Sequence, residues 1–150
     1  MTPETLKKFL ALSLKRNIGI VMAKQTKRDI EAILAFQLRA LKIDHETQFR
    51  FHPERRWKFD FAIPKFQLGI EVQGLAAPTY SKRGKLQLGG HQSIPGIKND
   101  LEKYDEALRL GWKVYCCEQD MVITGRALKT IQILIGQIQL QDVKQRVLAV

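Results

Sequence analysis

Cysteine is scarce in this chain. Only Cys116 and Cys117 occur among 150 residues, and they are neighbours. Successive strand residues point to opposite faces, so two adjacent cysteines on a strand cannot easily bridge each other. No structural-zinc spacing is present either, and the pair reads as reduced packing residues of a cytoplasmic protein. Long apolar runs are missing, and none approaches the roughly 20 residues of a membrane-spanning helix. The first residues lack the charged, apolar and small-residue segments of a secretory leader, so no membrane is expected among the partners. Repeats and low-complexity tracts are also absent, and the length fits one domain with a single core.

Acid is in short supply too. Twenty-five Lys and Arg face 15 Asp and Glu, a formal net charge of +10. A surplus of this size is the electrostatic footprint of a nucleic-acid binder. Its clustering argues against simple solubilisation. Lys7, Lys8, Lys15 and Arg16 lie in the first segment, followed by Lys24, Lys27 and Arg28. Arg50, Arg55, Arg56 and Lys58 form a second group, and Lys82, Arg83 and Lys85 a third.

What is present reads as a mixed α/β domain, residues 26–150, behind an N-terminal helical extension over residues 1–25. Thr2-Pro3-Glu4 resembles a helix start, with Leu6, Phe9, Leu10 and Leu12 as its apolar side up to about residue 15. Thr26 with Asp29 forms a capping box for a second helix to about Lys42, with Ile30, Leu34, Leu38 and Leu41 as its stripe and Glu31 at the stripe's edge. A strand over 47–51 precedes two aromatic and β-branched runs split by Pro64-Lys65, a β-hairpin. Residues 74–96 carry many Gly and Pro without periodicity, the pattern of a functional loop. A helix follows from Asn99 to Leu110 with Ile97, Leu101, Tyr104 and Leu108 on one face and Gly111 as its stop. Then come a strand over 112–117 and a long helix from Met121 to about Gln141.

The few acids fall in telling places. Glu71 and Gln73 share one face of their strand, while Ile70 and Val72 take the other. Asp60 stands among Phe59, Phe61 and Ile63, where a carboxylate needs a partner, a proton or a cation. Taken singly, each acid fits an ordinary ion pair: Asp60 with Arg56 or Lys58, and Glu71 with solvent. Together in a basic chain they fit a hard-metal site facing a polyanion. Asp60, Glu71 and the carbonyl of Val72 or Gln73 offer the oxygen half-shell that Mg²⁺ accepts, with water and phosphate completing it. The Gln73 amide can orient water or ligate metal but cannot act as a base.

These residues resemble the PD-(D/E)xK nuclease superfamily. Asp60 matches its hairpin aspartate, Glu71-Val72-Gln73 its acid-x-lysine triplet, and Glu31 the glutamate of its first helix. The runs Phe59 to Gly74, Gly89-Gly90-His91, Asp100 to Tyr104 and Gly111 to Val114 are similar to small phage endonucleases of the Holliday-junction-resolvase type. The resemblance covers roughly residues 27 to 138. It implies a restriction-endonuclease-like fold, one mixed sheet flanked by helices, with Mg²⁺ (or Mn²⁺) as cofactor and branched DNA as partner. It further implies a homodimer that cleaves phosphodiester bonds. Phe59 replaces the motif's proline, and Gln73 its lysine. Lys103 or Lys98 is expected to supply the missing amine. Arg55, Arg56, Lys58, Lys82, Arg83, Lys85 and His91 are the expected nucleic-acid contacts. A nicking repair or restriction-type enzyme of the same fold, and a catalytically silent DNA-binding module, are the competing readings.

Overall fold

The computed structural model describes residues 25–74, 79–80, 86–87 and 93–149. The N-terminal extension and the side chains of Lys82, Arg83, Lys85 and His91 lie outside the described residues. Helix α1 (Lys27–Ala40) starts as the sequence predicts. The Thr26 hydroxyl accepts the Asp29 N–H at 3.3 Å, and the Asp29 carboxylate accepts the Thr26 N–H at 2.9 Å. This reciprocal cap satisfies two N–H groups that a helix start would leave without partners.

The main sheet runs β1 (Glu46–Arg50), β2 (Lys58–Ile63), β3 (Leu68–Gln73) and β6 (Lys113–Glu118), in that spatial order. β1, β2 and β3 are antiparallel neighbours, and β6 joins β3 in parallel. A parallel pair needs a crossover, and helix α2 (Ile94–Arg109) lies on that path. A 3₁₀ turn at Pro64–Phe66 closes the β2–β3 hairpin, with Gln67 in the left-handed region at φ +45°. Thr79–Tyr80 (β4) and Leu86–Gln87 (β5) form a separate two-stranded ladder. Helices α3 (Gln119–Ile123) and α4 (Arg126–Leu148) complete the order. The fold class is thus α/β: one four-stranded mixed sheet flanked by helices. No helix among the described residues is long and apolar enough to cross a membrane.

Each sheet face has its own core. Ile30, Leu34 and Leu38 of α1 pack with Ile70 and Val72 of β3 and with Val122, Leu128 and Ile131. On the other face Phe51, Phe59 and Ala62 meet Ala107 of α2 and Trp112. Phe59 and Phe61 are two residues apart yet belong to different cores, so the alternation of β2 breaks at Asp60. That break sits at the level of Gln48, which lies between the partners of Phe61 and Phe59 and has a left-handed φ of +51°.

Two elements differ from expectation. Helix α2 begins at Ile94 rather than Asn99, because Ser93 caps it and Pro95 fits its first turn. Of its anticipated apolar face, Tyr104 meets the sheet, but Ile97, Leu101 and Leu108 turn outward, 47%, 63% and 61% exposed. The sheet opposite carries Glu71 and Gln73, so α2 offers it Lys103, Tyr104 and the small Ala107 instead. The single long helix expected from Met121 is two helices, parted at Thr124 and Gly125, where Gly125 has φ +76°.

Candidate functional site

Register explains how two carboxylates meet. The β2–β3 ladder ends at the Phe61–Ile70 pair, one level short of Asp60 and Glu71. Past that point Asp60 uses its side chain where the ladder would use a carbonyl, and its Oδ2 accepts the Val72 N–H at 2.8 Å. Asp60 and Glu71 are both buried, 8% and 6% exposed. Carboxylates at that depth require compensation.

Compensation comes from one lysine on each side of the sheet. Lys103 of α2 donates to Glu71 Oε1 at 2.5 Å, with only 12% and 8% of the two side chains exposed. Its ammonium also lies 5.8 Å from the centres of the Phe59 and Tyr104 rings. Phe59 thus helps hold the Lys103 amine in place. Lys98 is exposed. Lys27, in the first turn of α1, reaches Asp60 Oδ1 at 3.1 Å and Oδ2 at 3.0 Å, and Glu31 Oε1 at 3.6 Å. Gln73 Nε2 donates to the Tyr104 hydroxyl at 2.9 Å, which orients the amide beside Lys103.

Titration follows the geometry. Burial, foremost, lifts the Glu71 carboxyl above the ordinary glutamate range, although the Lys103 bond pulls the other way. Glu31 is also raised, first by burial and then by the charge of Asp60. For Lys27 burial works against the charged form, but the bond to Asp60 and the charges of Asp60, Glu31 and Glu71 prevail and raise its pKa. Burial lifts the Tyr104 hydroxyl far out of the physiological range, so it stays protonated.

A cavity of about 230 Å³ opens onto this cluster, lined by Lys27, Glu71, Val72, Gln73, Gly74, Asp100, Lys103 and Tyr104. Among the described residues no group of three or more His, Cys, Asp or Glu is placed to hold a metal ion. Asp60 and Glu71, with the Val72 carbonyl, are the donors that could hold part of a Mg²⁺ shell. Glu31, Asp60 and Glu71 are three carboxylates facing two ammonium groups, Lys27 and Lys103, which leaves negative charge in a half-desolvated place. Mg²⁺ is commonly held by one or two carboxylates with waters and phosphate completing the shell.

The structure therefore brings together Glu31, Asp60, Glu71, Val72, Gln73 and Lys103 of the residues expected from sequence. It adds Lys27 and Tyr104, which sequence reasoning did not place here. Spacing held a clue for the first, since Lys27 and Glu31 are i, i+4 partners on one helix face. In the sequence, Tyr104 falls on an apolar stripe with Ile97, Leu101 and Leu108, which hides its polar role. The basic group near the hairpin divides. Arg50 is occupied with the carbonyls of Pro53, Glu54 and Arg55, bracing the β1–β2 turn. Arg55 stacks over Trp57 at 4.8 Å and pairs with Glu102 at 3.2 Å, one residue from Lys103. Arg56 and Lys58 are exposed.

No family model and no curated protein matches the chain. Among solved structures, the one titled Homing Endonuclease I-Bth0305I Catalytic Domain is similar to this chain at 20% identity and a TM-score of 0.47. The match covers 75% of this chain and 94% of that one. A likeness of this degree carries no argument about chemistry.

Proposed function

We propose that this chain is a metal-dependent, structure-selective DNA endonuclease of the PD-(D/E)xK type, resolving four-way junctions as a homodimer. One observation carries the reading. Two buried carboxylates from adjacent strands, Asp60 and Glu71, meet where the hairpin parts, and Lys103 reaches Glu71 from the facing helix. The lysine missing from the Glu71-Val72-Gln73 triplet is supplied from α2, which favours an enzyme over a silent binding module.

Asp60, Glu71 and the Val72 carbonyl are the residues that would hold Mg²⁺, or Mn²⁺ in its place. When bound, that ion polarises a phosphoryl oxygen and lowers the pKa of an attacking water. Lys103 brings positive charge to where the scissile phosphate gains negative charge. Gln73, fixed by Tyr104, orients a water and cannot take its proton. The half-buried Glu31, raised above the usual glutamate range and next to Asp60 and Lys27, serves as an acceptor for that proton. Arg55, Arg56 and Lys58, with Lys82, Arg83, Lys85 and His91 of the 74–96 segment, serve as phosphate contacts. Such contacts give affinity without reading sequence.

The test compares end-labelled four-way junction, flap, single-stranded and duplex DNA, each with Mg²⁺, Mn²⁺ or EDTA. Paired symmetric nicks on the junction, absent in EDTA, are expected. Equal cutting of duplex and junction would instead select a nicking or restriction-type enzyme. Binding without cleavage in either metal would select the silent module.

A further inference from the structure

Asp60 does not line the cavity, but Lys27 does. The Lys27 ammonium spans both oxygens of Asp60, at 3.1 and 3.0 Å, and also faces Glu31 at 3.6 Å. It therefore stands where a cation shared by those carboxylates would stand, between Asp60 and the opening. Lys103 differs in being enclosed, with 12% of its side chain exposed against 42% for Lys27. A long, half-exposed stem lets an ammonium swing outward at little cost, whereas the Lys103–Glu71 ion pair is packed in place.

We propose that Lys27 is a positioning residue: a built-in monovalent cation that neutralises and covers Asp60 until a divalent ion displaces it. This rests on the metal-dependent reading above. The physical ground is competition. A divalent ion ligating Asp60 must break two charge-assisted hydrogen bonds and bring a second positive charge near the ammonium, so Lys27 leaves Asp60 as metal enters. In the metal-free protein it keeps a buried carboxylate from standing uncompensated. The device makes loading weak and reversible and keeps the apo site folded.

The experiment measures Mn²⁺ binding by electron paramagnetic resonance, without DNA, for the wild-type chain and for Lys27→Met, Lys27→Arg and Asp60→Asn. Removing the competitor and its charge is expected to tighten Mn²⁺ binding by roughly tenfold in Lys27→Met. Lys27→Arg, which retains a cation for Asp60, stays within about twofold of wild type on the same scale. Circular dichroism confirms that each variant is folded, and the arginine variant keeps the test open if the methionine variant is not. An unchanged or weaker Mn²⁺ affinity in a folded Lys27→Met, or a large change in Lys27→Arg, overturns the proposal while leaving the nuclease reading intact. No Mn²⁺ binding by wild type, with Asp60→Asn behaving identically, removes the metal site itself and with it both readings.

Discussion

Lys103 and Glu71 form an ion pair in which the lysine is 12% and the glutamate 8% exposed. Deleting one partner of such a pair strands the other charge, at a typical cost of ~3–5 kcal/mol. Lys103→Met is therefore expected to lower unfolding free energy by about 3 kcal/mol at neutral pH, read from urea titration. The sign of its pH dependence follows from Glu71. Burial already raises that carboxyl above the ordinary range against the pull of Lys103, and losing Lys103 raises it further. The folded state then holds the proton more tightly than the unfolded chain. Stability of the variant falls as pH rises from the ordinary glutamate pKa to the raised one, and the deficit shrinks on acidification below that window. A deficit that stays constant as pH drops into the glutamate range would mean that Glu71 is not the stranded charge. Asp60→Asn and Glu71→Gln are each expected to abolish cleavage while junction affinity, measured by gel shift, stays within a few-fold of wild type. Affinity comes mainly from phosphate contacts made by Lys and Arg elsewhere. Cleavage close to the wild-type rate would remove the substituted residue from the site.

At the scale of elements, the β2–β3 hairpin was readable because strand alternation and Pro64-Lys65 punctuation are local signals. The same alternation placed Glu71 and Gln73 on one face, and they meet Lys103 and Tyr104 there. Helix α2 was misread because its apolar stripe, Ile97, Leu101 and Leu108, is not the face it turns to the sheet. A helical wheel sends such a stripe inward, but here the strand end beneath carries Glu71 and Gln73, and Lys103, 32 positions from Glu71, answers that carboxylate. Lys27 was hidden for the same reason, since 33 positions separate it from Asp60. The break of β2 alternation at Asp60 also has no local signal. It depends on Phe59, whose buried ring stacks on Phe51 at 4.2 Å and lies against Trp112 at 5.4 Å. That ring occupies the space over Gly69, where an added Cβ would fall 2.6 Å from two of its carbons. Gly69→Ala is expected to cost about 1–3 kcal/mol by overpacking, measured by chemical denaturation, and to slow cleavage by shifting β3. Wild-type stability in that variant would show that the ring has room to yield.

At the scale of the whole molecule, the +10 charge is a footprint suited to a polyanion, while two of the 15 acids, Asp60 and Glu71, are buried together. The distal part of α4 leaves Leu140, Val143 and Val147 exposed at 64%, 58% and 70%, more apolar surface than a lone helix end normally shows. A homodimer would cover such a surface and place two Asp60–Glu71 clusters on opposing strands of a junction. Light scattering at micromolar concentration, with and without junction DNA, is expected to give twice the chain mass. A monomer in both conditions would exclude coupled two-strand cutting and select a nicking enzyme. Alanine at Lys82, Arg83 and Lys85 should flatten the salt dependence of binding to every DNA form, as three phosphate contacts are lost. In the proposed mechanism Asp60 and Glu71 form a divalent-metal site for phosphodiester hydrolysis. Single-turnover cleavage of a labelled four-way junction by the wild-type chain, in Mg²⁺ and then in excess EDTA, tests it most directly. Nicked products in Mg²⁺ that disappear with EDTA and with Glu71→Gln are the predicted result, and cleavage that survives either change would contradict it.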